Sequence, residues 1–333
     1  MKDMKNNKNN PIEVLQLHLA SELHSVDRLI NTYMKSETAP IISKLADHLI
    51  NAGGKRLRPL LTLAAANLCN YKGTSHVKLA AAIEFIHTAT LLHDDVVDES
   101  LQRRGKPTAN LLWDNQSTIL VGDYLFARAF QLMVEAGNLR VLDILANASA
   151  TIAEGEVLQL SAAQDVATTE EIYFRVIRGK TAALFSAAME VGAVIAQKDD
   201  KTVQALSNYG DALGISFQIV DDLLDYTGTE ATGKNIGDDF RERKLTLPVI
   251  KAIAAADPSE LAFWKKCISK GTQDEGDLEH ALRLMNSHNA LKDTRTQALY
   301  WAEKAKAALD VLPEHEFKPM LMDLSNYVVS RVN

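Results

Sequence analysis

Residues 87–105 read HTATLLHDDVVDESLQRRG, and the run leading into them, Leu79 to Leu92, is almost all Ala, Ile, Leu, Phe and Thr without Gly or Pro. That composition predicts a helix buried on most of its circumference. Four carboxylates load its far end. Asp94 and Asp98 lie four residues apart and share a helical face, and Asp95 with Glu99 repeats the spacing beside them. Each like-charge pair costs roughly 0.2–0.5 kcal/mol, just where a helix C-terminus already carries partial negative charge. A cation must compensate. Side-by-side carboxylates suit a hard, oxygen-seeking ion such as Mg²⁺ better than zinc.

A second cluster decides how the first is read. Gln218 to Asp225 is QIVDDLLD, so Asp221, Asp222 and Asp225 repeat Asp-Asp-x-x-Asp at the end of another apolar run, Ala212 to Leu224, shortly before Gly228. One acidic helix face is ordinarily solvated surface. Two, each set among Leu, Ile and Val, imply chemistry. Mg²⁺ dehydrates reluctantly and takes one or two carboxylates plus phosphate oxygens, so the pattern predicts a diphosphate held by metal ions between two helix ends.

With 333 residues, 47% hydrophobic and 24% charged, the chain can bury a large core, and no composition shift marks a domain boundary. Residues 1–10, MKDMKNNKNN, read as a disordered polar tail, and residues 11–333 as one all-α domain. The net charge of -7 excludes a nucleic-acid binder, whose footprint is basic. Cys69 and Cys267 lie far apart without metal-ligand spacing, which predicts buried thiols and a reduced, cytoplasmic compartment. No signal or transit pattern opens the chain, and no apolar run is long enough for a transmembrane segment. Helical periodicity marks 12–34, 39–51, 57–70, 116–135, 141–160, 169–177, 182–196, 201–226, 247–256, 258–269, 278–287, 292–312 and 316–332. No stretch alternates like a solvated strand.

Basic residues stand where a metal-bound diphosphate would need them. Asn51 to Pro59 is NAGGKRLRP, in which Gly53 and Gly54 permit close approach and Lys55, Arg56 and Arg58 offer cations, although a solvated helix start reads the same way. Arg103 and Arg104 follow the first acids and at least balance them. Gly179, Lys180 and Thr181 interrupt apolar runs, as an anion site or a helix boundary would. The loop YTGTEATGKNIGDDFRERKLTLP after the second cluster is Gly-rich but lacks the GxxxxGK[ST] spacing, and its Lys234 is the residue best placed for a phosphate. His87, seven residues before Asp94, shares its face, as a cavity residue or a buried core histidine. His18, His24, His48, His76, His280, His288 and His315 are scattered, which predicts surface positions.

Together GGKRLRP, HDDVVDESLQRRGKPT, GKT, FQIVDDLLD and GKNIGDD, in this order, resemble the trans-polyprenyl diphosphate synthases, most of all the long-chain members that make octaprenyl to decaprenyl diphosphate for ubiquinone side chains. The resemblance implies an isoprenoid synthase-type helical bundle around a deep central cavity, usually a homodimer, with Mg²⁺ on Asp94, Asp98, Asp221 and Asp225. It implies isopentenyl diphosphate on Lys55, Arg58, His87 and Arg104, and an allylic prenyl diphosphate on Arg103, Lys180, Thr181, Gln218 and Lys234. The allylic diphosphate leaves, isopentenyl diphosphate attacks through its double bond, and proton loss gives a trans product one unit longer, which passes to a membrane prenyltransferase. Short-chain members often carry Phe or Tyr four or five residues before the first motif. Ala89 and Thr90 stand here instead, so a long product is expected, with Phe85 as a candidate floor. Arg243 occupies a position where Gly is common, which leaves that loop's conformation open. A class I terpene cyclase would usually carry an Asn/Ser/Glu pattern for DDLLD, and an inactive partner subunit would have lost aspartates.

Overall fold

The computed structural model describes residues 10–51, 54–103, 105–228 and 236–332. Among these the chain is helical nearly throughout, as the apolar periodicity predicts. The exception is a ribbon that pairs Gln102–Arg103 antiparallel with Lys106–Pro107, where no strand was expected. Its turn carries Gly105 at φ +74, a backbone that Gly adopts without strain.

Local chemistry moves several boundaries. The helix expected over 12–34 divides at Leu19 into Pro11–His18 and Ala20–Tyr33. Asn10, expected in the tail, instead caps the first of these by accepting the Ile12 N–H at 3.0 Å; the rest of the tail, residues 1–9, lies outside the described residues. Gly179, Lys180 and Thr181 do not end a helix. Glu170–Ile177 runs through a π-helical turn, Arg178–Ala182, into Ala183–Ile195. Short helices at Ala109–Leu112 and Asp238–Arg241 escaped the periodicity because they are too brief to show it.

The chain forms two compact units. The first comprises the described residues of Met1–Ser149, Ala187–Ser207 and Val311–Met320. At its centre stands the Ser75–Val97 helix, packed on Leu57–Leu68 and Asn115–Glu135, with every residue from Leu79 to Ile86 buried. Its abundance of alanine permits that all-round contact. His76, expected at the surface, is buried and bonds Glu22 at 3.3 Å.

The second unit comprises the described residues of Ala150–Ser186, Asn208–Asp310 and Leu321–Asn333. Its core gathers Tyr226, Phe240, Trp264, Ile268 and Met285, with Trp264 edge-on to both Phe240 and Phe263. Truncating an aromatic at such a site typically costs about 3–5 kcal/mol. Both cysteines are buried free thiols, as expected, and burial pushes Cys69 up to about 11 and Cys267 up to about 12. No helix among the described residues is long and apolar enough to cross a membrane.

Candidate active site

In the first unit the aspartates occupy the last turn of the Ser75–Val97 helix. Asp98 is its C-cap and donates its N–H to the Asp94 carbonyl at 2.8 Å, so the two stay one turn apart, Asp94 half-buried and Asp98 exposed. The second expected pair does not form. Glu99 turns away into left-handed backbone at φ +50, and Asp95 is 1% exposed. Asp95 Oδ1 accepts from both Arg103 Nη2 at 2.7 Å and Nε at 2.9 Å, two charge-assisted donors on one oxygen, made possible by the ribbon that folds Arg103 back on the helix. Arg103, expected on the allylic diphosphate, is therefore held by Asp95. Arg104 lies outside the described residues.

The basic segment at the start of the Leu57–Leu68 helix meets the same helix about two turns earlier. Arg58 Nη1 donates to His87 Nε2 at 3.1 Å, so two of the residues expected on isopentenyl diphosphate touch, while Lys55 is exposed. A guanidinium only donates, so His87 accepts at Nε2 in this arrangement. On the same helix, Phe85 and Ala89 have almost no accessible surface, and Thr90 is half-buried. Of the three expected chain-length residues, Thr90 alone keeps appreciable accessible surface. His93 was not singled out in the sequence, yet its ring stacks on Phe126 and bonds the Ile119 carbonyl at 3.2 Å. It fits because residue 122 is Gly, where a Cβ would come within 2.2 Å of His93 Nε2.

In the second unit a polar chain threads the end of the Asp200–Thr227 helix. Thr181 Oγ1 donates to Gln218 Oε1 at 2.8 Å, Gln218 Nε2 to Asp222 Oδ1 at 2.8 Å, and the buried Tyr173 hydroxyl to Asp222 Oδ2 at 2.6 Å. Burial raises the Asp222 carboxyl to about 7 against those hydrogen bonds, with the Asp221 charge adding to the rise. Asp225 is 8% exposed and accepts the Asp239 N–H at 3.1 Å. Burial, then the Asp222 and Asp225 charges, raise Asp239 well above the carboxylate range. Asp221 is half-buried and receives Arg331 Nη1 at 3.0 Å; that guanidinium also sits 5.3 Å over the Phe217 ring.

Lys180 occupies the π-helical turn and pairs with Glu156 at 3.0 Å. The helix Leu139–Ala162 approaches that turn through two glycines. A Cβ on Gly155 would lie 2.8 Å from Lys180 N, and one on Gly179 2.9 Å from the Thr151 carbonyl. Glu156, Gly155, Tyr173 and Arg331 had no signal in the sequence, because their partners are distant along the chain. Lys234 lies outside the described residues.

The donor set fits Mg²⁺. Asp94, Asp98 and Asp221 offer accessible carboxylate oxygens, the hard donors that Mg²⁺ takes. Among the described residues no three His, Cys, Asp or Glu side chains close into a cage.

Residues 39–285 match the polyprenyl synthetase family. The octaprenyl diphosphate synthase of Escherichia coli (strain K12) is 44% identical over 313 residues, 94% of this chain and 96% of that protein. The crystal structure of a decaprenyl diphosphate synthase from Rhodobacter capsulatus superposes with a TM-score of 0.94 at 64% identity, over 97% of this chain and 99% of that one. A polyprenyl synthase from Caulobacter crescentus CB15, complexed with calcium and isoprenyl diphosphate, gives 0.92 at 49% identity, over 98% and 100%.

Proposed function

The chain belongs to the polyprenyl synthetase family, and on that premise we propose that it is a prenyltransferase that condenses isopentenyl diphosphate repeatedly onto an allylic diphosphate, farnesyl or geranylgeranyl. The product is an all-trans polyprenyl diphosphate of octaprenyl to decaprenyl length for the ubiquinone side chain. The observation that carries the reading is the pair of aspartate-rich helix ends, each with an arginine inside its own unit: Asp95, next to Asp94 in the first motif, on Arg103, and Asp221, which leads the second, on Arg331.

Asp94, Asp98, Asp221 and Asp225 would hold Mg²⁺, with Asp225 the most enclosed of the four. Bound Mg²⁺ supplies charge stabilisation to the diphosphate as it leaves. Arg103, Lys180 and Lys234 add cations on the allylic side, and Thr181 with Gln218 fixes the polar chain that keeps Asp222 in place. Lys55, Arg58 and Arg104 hold isopentenyl diphosphate, with His87 aiming Arg58. None of these side chains is needed as a general base, since the released diphosphate can take the proton. Thr90 sets product length by leaving room where short-chain enzymes carry an aromatic ring.

We take residues 11–333 as one catalytic domain, since the family match runs through both units. A homodimer is supported by the exposed Ile119, Leu120, Phe130 and Val134 on the Asn115–Glu135 helix, an apolar stripe that a second copy would cover, and the cytoplasm by the two free thiols. A membrane prenyltransferase would take the product. Incorporation of labelled isopentenyl diphosphate into solvent-extractable product tests the activity. It should stop with EDTA, return with Mg²⁺ and disappear in Asp221→Ala; incorporation unaffected by either change would overturn the proposal.

A further inference from the structure

Glu84 is a buried carboxylate with no part in the chemistry above. It precedes His87 by three residues, so both side chains leave one face of the Ser75–Val97 helix. The start of the Leu57–Leu68 helix meets that face in matching register. Arg56 Nη1 donates to Glu84 Oε1, and Arg58 Nη1 to His87 Nε2 at 3.1 Å. The N-cap Arg56 and Arg58, in the first turn of the Leu57–Leu68 helix, thus engage two residues three apart on the Ser75–Val97 helix, like rungs.

Arg56 reaches its rung only from left-handed backbone, φ +49 and ψ +38, a region that side chains with a Cβ avoid. An Arg in that conformation must be held there. Asp27 adds a second carboxylate, 3.6 Å from Arg56 Nε, but it is exposed, whereas Glu84 is 8% exposed. Of the three cations between residues 55 and 58, Arg56 is thus committed to protein carboxylates. Lys55 and Arg58 flank it, so any relaxation of its backbone swings both.

We infer that Glu84, acting through Arg56, is a positioning residue for isopentenyl diphosphate: it fixes the left-handed turn that sets where Lys55 and Arg58 project. The inference rests on the proposed role of Lys55 and Arg58. A purely structural pair would change stability and nothing else.

The test measures KM for isopentenyl diphosphate and for farnesyl diphosphate, kcat and melting temperature in the full chain and its Glu84→Gln, Arg56→Lys, Glu84→Gln/Arg56→Lys and Lys55→Ala variants. Glu84→Gln should raise the isopentenyl diphosphate KM about tenfold while kcat and the farnesyl diphosphate KM stay within about twofold. The double variant should be no worse than the worse single one, because both changes break one link. A folded Glu84→Gln with unchanged KM overturns the inference. If Glu84→Gln does not fold, Arg56→Lys decides alone by the same readout. Lys55→Ala separates the two layers. Should it raise KM while Glu84→Gln does not, positioning fails and the binding role stands; should it leave KM unchanged, the binding role itself fails.

Discussion

Arg331 Nη1 lies 3.0 Å from Asp221 Oδ1, so the residue just past the Phe317–Ser330 helix sets a guanidinium on the leading carboxylate of the second aspartate motif. Arginine and Mg²⁺ are alternative counter-charges for one oxygen. An ion pair this accessible is worth up to about 1 kcal/mol, which caps the competition at about fivefold in apparent affinity. Arg331→Gln should therefore lower the Mg²⁺ concentration for half-maximal turnover by about two- to fivefold. A magnesium titration of activity checks this, and an unchanged or higher requirement would count against competition.

Neighbouring aspartates should separate by what they do. Asp95 is buried on Arg103 and Asp94 is not. Asp95→Ala leaves a guanidinium without its carboxylate partner and should cost about 2 kcal/mol of stability, below the range for a fully buried pair because Arg103 keeps some solvent. Asp94→Ala should leave the unfolding midpoint nearly unchanged and reduce turnover at least about a hundredfold. Chemical unfolding and labelled-substrate turnover on both variants make the comparison.

Accessible surface separates two adjacent candidates for product length. Thr90 is half-buried and Ala89 has no exposed surface. Thr90→Phe can place its ring in open space and should shorten the product, whereas Ala89→Phe must displace packed neighbours and should cost about 1–3 kcal/mol. Product sizing and thermal unfolding of the two variants decide between these effects; full-length product from Thr90→Phe would remove Thr90 from the account.

The Glu22–His76 contact gives a pH dependence of known sign. The His76 hydrogen bond, helped by Asn67 and opposed by burial, holds the Glu22 carboxyl below its ordinary value of 4.5. A carboxylate whose folded value is depressed stabilises the fold above the unfolded value, and that contribution is lost as pH falls through the folded value. Wild-type stability should thus drop more steeply than that of Glu22→Gln as pH falls below 4.5, the two curves running parallel above it. Urea unfolding over about pH 3–7 measures the difference.

The helices were legible because long apolar runs without Gly or Pro have few other ways to bury themselves, and the motifs because i, i+4 carboxylates leave a spacing that needs no partner to be seen. What the sequence hid is contact across the chain. Tyr173 and Asp222 stand 49 residues apart, and nothing in either neighbourhood announces the other. Arg243 is instructive. It takes φ +61 where Gly would sit without strain, and its side chain bonds the Ile268 carbonyl at 2.8 Å, the Ser269 carbonyl at 3.0 Å and Gln164. The departure from the common Gly is visible in the sequence; the three acceptors that offset its strain are not. The buried His76 was misplaced for the same reason, since its partner Glu22 lies on another helix.

The length of the product is the decisive readout of whether this chain is a long-chain synthase. The protein is incubated with Mg²⁺, farnesyl diphosphate and labelled isopentenyl diphosphate, and the dephosphorylated products are separated by chain length. The account predicts a ladder ending between octaprenyl and decaprenyl. A ladder that stops at geranylgeranyl, or folded protein that incorporates no label, would contradict it.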